Sequence, residues 1–336
     1  MRTTRTLGRS GIEVSALGMG CWAIGGPFWE GDQPLGWGEV DDDESVRTIH
    51  RALDLGVTLF DTSSNYGAGH SERVLGRALA GRRDRVVIAT KFGYPTDEAT
   101  RQATGTDASP EYARRSLEGS LRRLGTDHVD LYQLHVNALP APQALDLVDT
   151  LEDLVAEGSI RAYGWSTDDP ESARAFAAAG RHCAAIQHDQ SVLRDNAAML
   201  AVCDEFDLAS LNRGPLAMGL LTDRYQGSPA ARGRDDVRAV APEWLPWFTD
   251  GVPDAEWADR VARVREVLTA DGRTLAQGAL GWLLARSPRT LPIPGCRTVA
   301  QAEENVGTLA YGPLPEAAFA EVETLLADLR AAPATA

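Results

Sequence analysis

The chain has 336 residues, 43% of them hydrophobic, which is enough to bury one large core or two ordinary ones. A formal net charge of −15 excludes nucleic acid and an anionic membrane surface as partners, because both attract basic faces. No apolar run nears the roughly 20 residues of a membrane helix, no basic-then-apolar leader opens the chain, and the four cysteines lack metal-ligand spacing, so a cytoplasmic protein with reduced thiols and no metal is expected.

Residues 2–14 read as a hairpin turning at Gly8 and Gly11, and Ala16 to Cys21 as a first short strand. Asp41 to Gly56 has an acidic start, apolar residues at Val46, Ile49 and Leu53, and a glycine stop, which predicts a helix. The strand Val57 to Phe60 ends on Asp61; a helix follows near 70–80, then the strand Val86 to Thr90, which ends on Lys91. Ser109 caps the next helix, Pro110 takes its first position and Gly125 ends it.

The alternation continues through the strand Val129 to Leu134 ending on His135, a helix over 141–157, the strand Ile160 to Ser166, and a helix opened by Asp169-Pro170. Ala184 to Gln187 and Leu208 to Asn212 read as the sixth and seventh strands. Helices near 255–270 and 274–286 precede the strand Leu291 to Pro294, and helices at 298–310 and 315–330 close the chain. Eight strands alternating with helices, without a composition break, predict one α/β domain over 1–336. Its architecture is a (β/α)8 TIM barrel with an N-terminal β-hairpin and an extra C-terminal helix. A doubly wound sheet is disfavoured, because no glycine-rich phosphate fingerprint follows an early strand.

On such a barrel the chemistry sits at the C-terminal strand ends. There the chain places Cys21 and Trp22, Asp61, Lys91, His135, Ser166, Gln187, Asn212 and Arg213, with Tyr66 one short loop past Asp61. Of the 33 Lys and Arg residues, Lys91 alone is lysine. A site that stays Lys in an Arg-rich chain is one where a planar, always charged guanidinium fails.

Asp61, Tyr66, Lys91 and His135 resemble the catalytic tetrad of the aldo-keto reductases. The likeness extends to Leu7-Gly8-Arg9-Ser10-Gly11-Ile12-Glu13-Val14-Ser15, Ser71-Glu72-Arg73-Val74-Leu75-Gly76, the run Asp130 to His135, and Ile293-Pro294-Gly295. The resemblance implies that Tyr66 donates a proton to a carbonyl, with Lys91 as the cation beside it, Asp61 holding Lys91, and His135 orienting the substrate oxygen. It also implies a nicotinamide cofactor, NADPH ahead of NADH. Matching positions for it are Gly20, Cys21, Trp22 and Asp61, then Ser166 and Thr167 of Gly164-Trp165-Ser166-Thr167, and Gln187. Further along they include Arg213, Gly214, Pro215, Leu216 and Gly219 of a pyrophosphate loop. Gly295, Arg297, Gln301, Glu304 and Asn305 match an adenosine clamp, with Arg297 on the 2′-phosphate and Glu304 and Asn305 at the adenine edge. Thr298-x-x-Gln301 also reads as a capping box. Arg213 either stacks on the nicotinamide ring, where relatives carry an aromatic, or points outward to a carboxylate.

The substrate is expected to be a small carbonyl compound held by Trp22, Trp29, Tyr66, His135 and Val136. Loops 23–42 and 223–254 carry Phe28, Trp29 and Trp37, then Trp244, Trp247 and Phe248, as an apolar wall or as ordinary loop packing. His188 is a candidate lining residue of the cofactor site; His50, His70, His128 and His182 read as solvated. The implied activity is reduction of an aldehyde, ketone or sugar. The alternatives are a cofactor-sensing binding module, as in potassium channel β subunits, and an aldose dehydrogenase working oxidatively.

Overall fold

The computed structural model describes residues 3–225, 235–240 and 242–328. Eight parallel strands stand side by side in chain order: β1 (Met19–Gly20), β2 (Leu59–Asp61), β3 (Val87–Phe92), β4 (Val129–Leu134), β5 (Ile160–Ser166), β6 (Cys183–Asp189), β7 (Ala209–Arg213) and β8 (Thr290–Pro292). Gly18 N–H donates to Pro292 O at 2.9 Å and Gly20 N–H to Pro294 O at 3.0 Å, so the eighth strand meets the first and the sheet closes. The barrel expected from the strand–helix alternation is the fold observed.

The outer ring is α1 (Asp42–Asp54), α2 (His70–Leu79), α3 (Pro110–Leu124), α4 (Ala141–Leu145), α5 (Val148–Ala156), α6 (Pro170–Ala179) and α7 (Ala197–Glu205), then, after the four-residue α8 (Val237–Val240) within the loop after β7, α9 (Ala255–Leu268), α10 (Leu275–Arg286), α11 (Val299–Tyr311) and α12 (Glu316–Leu325). Their starts follow from capping chemistry: the Asp41 carboxylate accepts from Asp43 and Glu44 N–H, and Ser109 Oγ accepts from Tyr112 N–H. The single helix expected over 141–157 is two, because Leu147 N–H bonds to Ala144 O three residues back and tightens the turn between them. The last helix ends at Leu325 rather than 330, and residues 329 and 330 lie outside the described residues.

Inside the barrel an apolar layer of Leu59, Val87, Ala89, Leu131, Ala185, Leu211 and Leu291 is closed from below by Leu7, Ile12 and Val14 of the N-terminal hairpin. That hairpin pairs Thr4–Thr6 with Glu13–Ser15. It docks closely enough that Gly8, at φ 49°, would put a Cβ 2.2 Å from Ala184 O. A second, larger core lies between the strands and the helices.

The overhanging loops are more ordered than their composition suggests. Trp29–Glu30 and Gln33–Pro34 join Thr96–Asp97 and Gln102–Ala103 in a small four-stranded sheet. Trp37 pairs with Asp236, and Val237 N–H donates to Gly36 O at 2.8 Å, so the first and seventh loops are bound to each other. Residues 226–234 and 241 of the second loop lie outside the described residues.

Candidate active site

Side chains two apart on a strand share a face, and this period sets the floor of the site. Two residues beyond the apolar layer, Leu59 gives way to Asp61, Ala89 to Lys91, Leu131 to Gln133 and Ala185 to Gln187. All four polar side chains are buried. Lys91 Nζ donates to Asp61 Oδ1 at 2.6 Å, to Thr62 O at 2.8 Å and to the Tyr66 hydroxyl oxygen at 3.1 Å. The other Asp61 oxygen accepts from Gln187 Nε2 at 2.8 Å and Gln133 Nε2 at 3.1 Å. Asp61, Lys91 and Tyr66 therefore form one hydrogen-bonded chain. Gln133 completes it, although nothing in the sequence distinguished it from an ordinary strand residue.

Tyr66 stands on a loop that only glycine permits: Gly67 has φ 59°, and a Cβ there would lie 1.7 Å from Gly25 O. Trp22 stacks on the Tyr66 ring, with centroids 5.9 Å apart, and its Nε1–H donates to Leu35 O. The His135 ring meets Tyr66 edge-on at 5.7 Å and Tyr94 at 5.2 Å. Burial pushes the Tyr66 phenol above its ordinary pKa and outweighs the downward pull of Lys91. Burial works against the Lys91 ammonium, yet Asp61 and Tyr66 together hold its pKa above the ordinary value. His135 is driven well below the usual imidazole range by burial, with Lys91 and Arg213 acting the same way, so it is neutral at physiological pH.

Several positions matched to cofactor contacts are committed elsewhere. The Cys21 thiol is fully buried and turns back toward Met19 O. Thr167 Oγ1 donates to Asn137 O at 2.8 Å, and Asn305 Nδ2 points inward to Cys296 Sγ at 3.4 Å rather than to an adenine edge. Gln187 spends its amide N–H on Asp61. His188 faces the helix layer, where Nε2 meets Ser210 Oγ at 2.8 Å, because strand alternation turns it away from the side Gln187 occupies. The Arg213 guanidinium pairs with Asp168, approaches Asp189 at 3.9 Å, and acts electrostatically on both Tyr66 and His135. The other four histidines are partly exposed and hydrogen-bonded, to Ala78 O, Asp42, Asp127 and Glu152.

The remaining matched positions frame a site. Gly214, Ala217, Met218 and Gly219 all have positive φ, giving the loop after β7 a tightly curled path. At the N-terminus of α11, Arg224, Arg297, Thr298 and Gln301 line a cavity of about 320 Å³ with Val40, Asp41, Glu44 and Ser45. Two guanidinium groups beside a helix N-terminus suit a phosphate group, so this chain's residues fit a phosphorylated nucleotide. Arg297 also binds the loop behind it, donating to Trp37 O at 2.7 Å and to Glu39 O. Thr298 Oγ1 accepts from Gln301 N–H, but the Gln301 side chain accepts from Arg297 N–H, one residue before the position a capping box requires. Glu44 Oε1 accepts from Val299 N–H at 3.0 Å, a bond that lowers its pKa and that the sequence did not announce.

The aromatic residues of the two loops divide between both expectations. Trp37 and Trp244 lie against Trp22 at 5.4 and 6.2 Å and extend the wall beside Tyr66. Phe28, Trp247 and Phe248 are buried as loop packing, and Trp29 lies in the small sheet. Val136 is partly buried and accepts from Trp165 Nε1–H through its carbonyl. Tyr94 and Ser63, both in contact with His135, are site residues the sequence reading missed.

A profile of the aldo/keto reductase family matches residues 16–327, and the chain belongs to that family of oxidoreductases. It is 31% identical over 300 residues to aldo-keto reductase YhdN of Bacillus subtilis, covering 88% of this chain and 85% of that one. Over 314 residues it is 31% identical to aldo-keto reductase yakc [NADP(+)] of Schizosaccharomyces pombe, covering 91% and 86%. Among solved structures, the glycerol dehydrogenase AKR11B4 of Gluconobacter oxydans superposes with a TM-score of 0.80 at 28% identity, over 99% of this chain and 98% of that one. None of the helices among the described residues is long and apolar enough to cross a membrane.

Proposed function

We propose that the protein is an NADPH-dependent reductase that converts the carbonyl of an aldehyde, ketone or sugar to an alcohol, with Tyr66 as the proton donor. The observation that carries this reading is the buried chain Asp61–Lys91–Tyr66, in which the ammonium lies 3.1 Å from the phenol oxygen. As negative charge gathers on a carbonyl oxygen beside Tyr66, the phenol releases its proton to it. Lys91 then neutralises the phenolate left behind, and Asp61, fixed by Gln133 and Gln187, keeps Lys91 charged and in place. The nicotinamide, when bound, supplies the hydride. Support for NADPH comes from the arginine-lined pocket at α11 and from the NADP(+) in the name of the yeast relative.

The test is NADPH consumption with a panel of aldehydes, ketones and sugars. Tyr66→Phe should lower turnover by about 10² or more, the size of general acid help, while NADPH affinity holds within about twofold because the lost hydroxyl faces the carbonyl. Retention of more than about a tenth of wild-type turnover would remove Tyr66 from the role. The similarity to a glycerol dehydrogenase favours, as a second reading, the reverse reaction on a polyol; NADP⁺ reduction by polyols distinguishes the two. Tight NADPH binding without turnover in either direction would point instead to a binding module.

A further inference from the structure

Tyr66 is the base of a row of aromatic rings that leads out of the barrel. Its ring stacks on Trp22 with centroids 5.9 Å apart, and Trp22 in turn lies against Trp244 of the loop after β7 at 6.2 Å. Trp37 stands edge-on to Trp22 at 5.4 Å and is covered by the Arg238 guanidinium, so it backs the row. Trp244 is different: 48% of it is exposed, in a residue type that is ordinarily well buried. Trp22 Nε1–H is spent on Leu35 O, which leaves that ring only carbon to offer a ligand. A carbonyl in reach of the Tyr66 hydroxyl cannot extend downward, because Asp61, Lys91, Gln133 and Gln187 fill the floor, buried and bonded to one another. His135 closes a second side edge-on, with Tyr94 against it. A continuous apolar surface leads away from the phenol along Trp22 to Trp244.

Resting on the carbonyl-reductase reading, we infer that Trp244 is a specificity-determining residue. It takes the hydrocarbon tail of an aldehyde or ketone on its exposed face while Tyr66 serves the carbonyl oxygen. The substrate class is then a carbonyl compound with a long alkyl or arylalkyl tail rather than a sugar. A tail gains about fourfold in affinity for each methylene it buries. A sugar laid on the same rings would also need partners for its hydroxyl groups, and the polar side chains of the floor are already bonded to one another. Length matters as well as polarity: propanal placed at Tyr66 ends against Trp22, whereas octanal spans both ring spacings and reaches Trp244.

The test is reduction of unbranched aldehydes from propanal to octanal by the full chain with NADPH, with D-xylose as the polar arm. Wild type should favour octanal over propanal by at least about tenfold in kcat/KM. Trp244→Ala should lower that ratio about tenfold, the worth of one to two buried methylenes, mainly through KM for octanal. Trp244→Phe, which keeps a flat ring, should retain most of it. Because Trp244 is half exposed, both variants should fold. A loss shared equally by propanal and octanal would make Trp244 a structural part of the roof and overturn the proposal. A wild type that prefers D-xylose, or shows no rise with chain length, would overturn it too. If no aldehyde is reduced, the reductase reading falls, and calorimetry with unreactive amides decides the tail site. Octanamide should bind the NADPH complex about tenfold more tightly than propanamide in wild type but not in Trp244→Ala, and equal wild-type affinities would dispose of the tail site as well.

Discussion

Lys91 spends its three N–H bonds in three divergent directions: a carboxylate, a main-chain carbonyl and a phenol. A guanidinium is flat, its donors fan out in one plane, and it is longer. Lys91→Arg keeps the charge but cannot make all three contacts without displacing Asp61 or Tyr66. Its expected effect is a loss of about 10² or more in turnover with a folded barrel, read by NADPH consumption beside circular dichroism. Wild-type kinetics would show that the site needs only a positive charge. This residue was legible in the sequence because of its rarity against 32 arginines. Gln133 and Ser63 were not, since a glutamine within a strand and a serine in a Ser-rich loop are common. Their place is set by register: Gln133 pairs with Lys91 across β3 and β4.

At the scale of elements, the barrel strands and the helix ends were legible because their signals are local. Caps, glycine stops and a period of two depend on neighbours in sequence. The contact between the first turn of α1 and the N-terminus of α11 joins residues 255 positions apart and had no such signal. There the Glu44 carboxylate already occupies the Val299 N–H, at the place where a 2′-phosphate would gather. A 2′-phosphate must compete with that charge, whereas NADH carries only a neutral hydroxyl at that position. Glu44→Gln should therefore raise NADPH affinity by about two- to fivefold, the usual worth of a charge at a helix terminus, and leave NADH affinity unchanged. Titration of intrinsic tryptophan fluorescence with each nucleotide measures both. An equal change for the two would mean that Glu44 acts on the shared part of the cofactor or on the fold.

Over the whole molecule, a rigid barrel carries a roof made from two distant loops, and only the barrel could be read beforehand. Loop composition suggested aromatic residues over the site but could not say which would face it, because their pairing is long-range and joins irregular segments. Arg238 shows how the roof is held. It is buried, bonds to Asp236, donates to Met218 O at 3.2 Å and to the Tyr225 hydroxyl at 3.3 Å, and lies over the Trp37 ring at 4.4 Å. One side chain thus ties the curled loop after β7 to the loop after β1. Arg238→Ala would remove all of these contacts at once, a loss of about 0.5–3 kcal/mol in the usual range for a destabilising substitution. None of those contacts reaches a barrel strand, so the loss should appear as local opening rather than global unfolding. Hydrogen exchange should lose protection at residues 28–37, 235–240 and 242–253 while amides of β3 to β6 keep theirs, and the KM for NADPH should rise as the roof opens. A uniform loss of protection across the strands would instead make the roof part of the barrel's own cooperative unit.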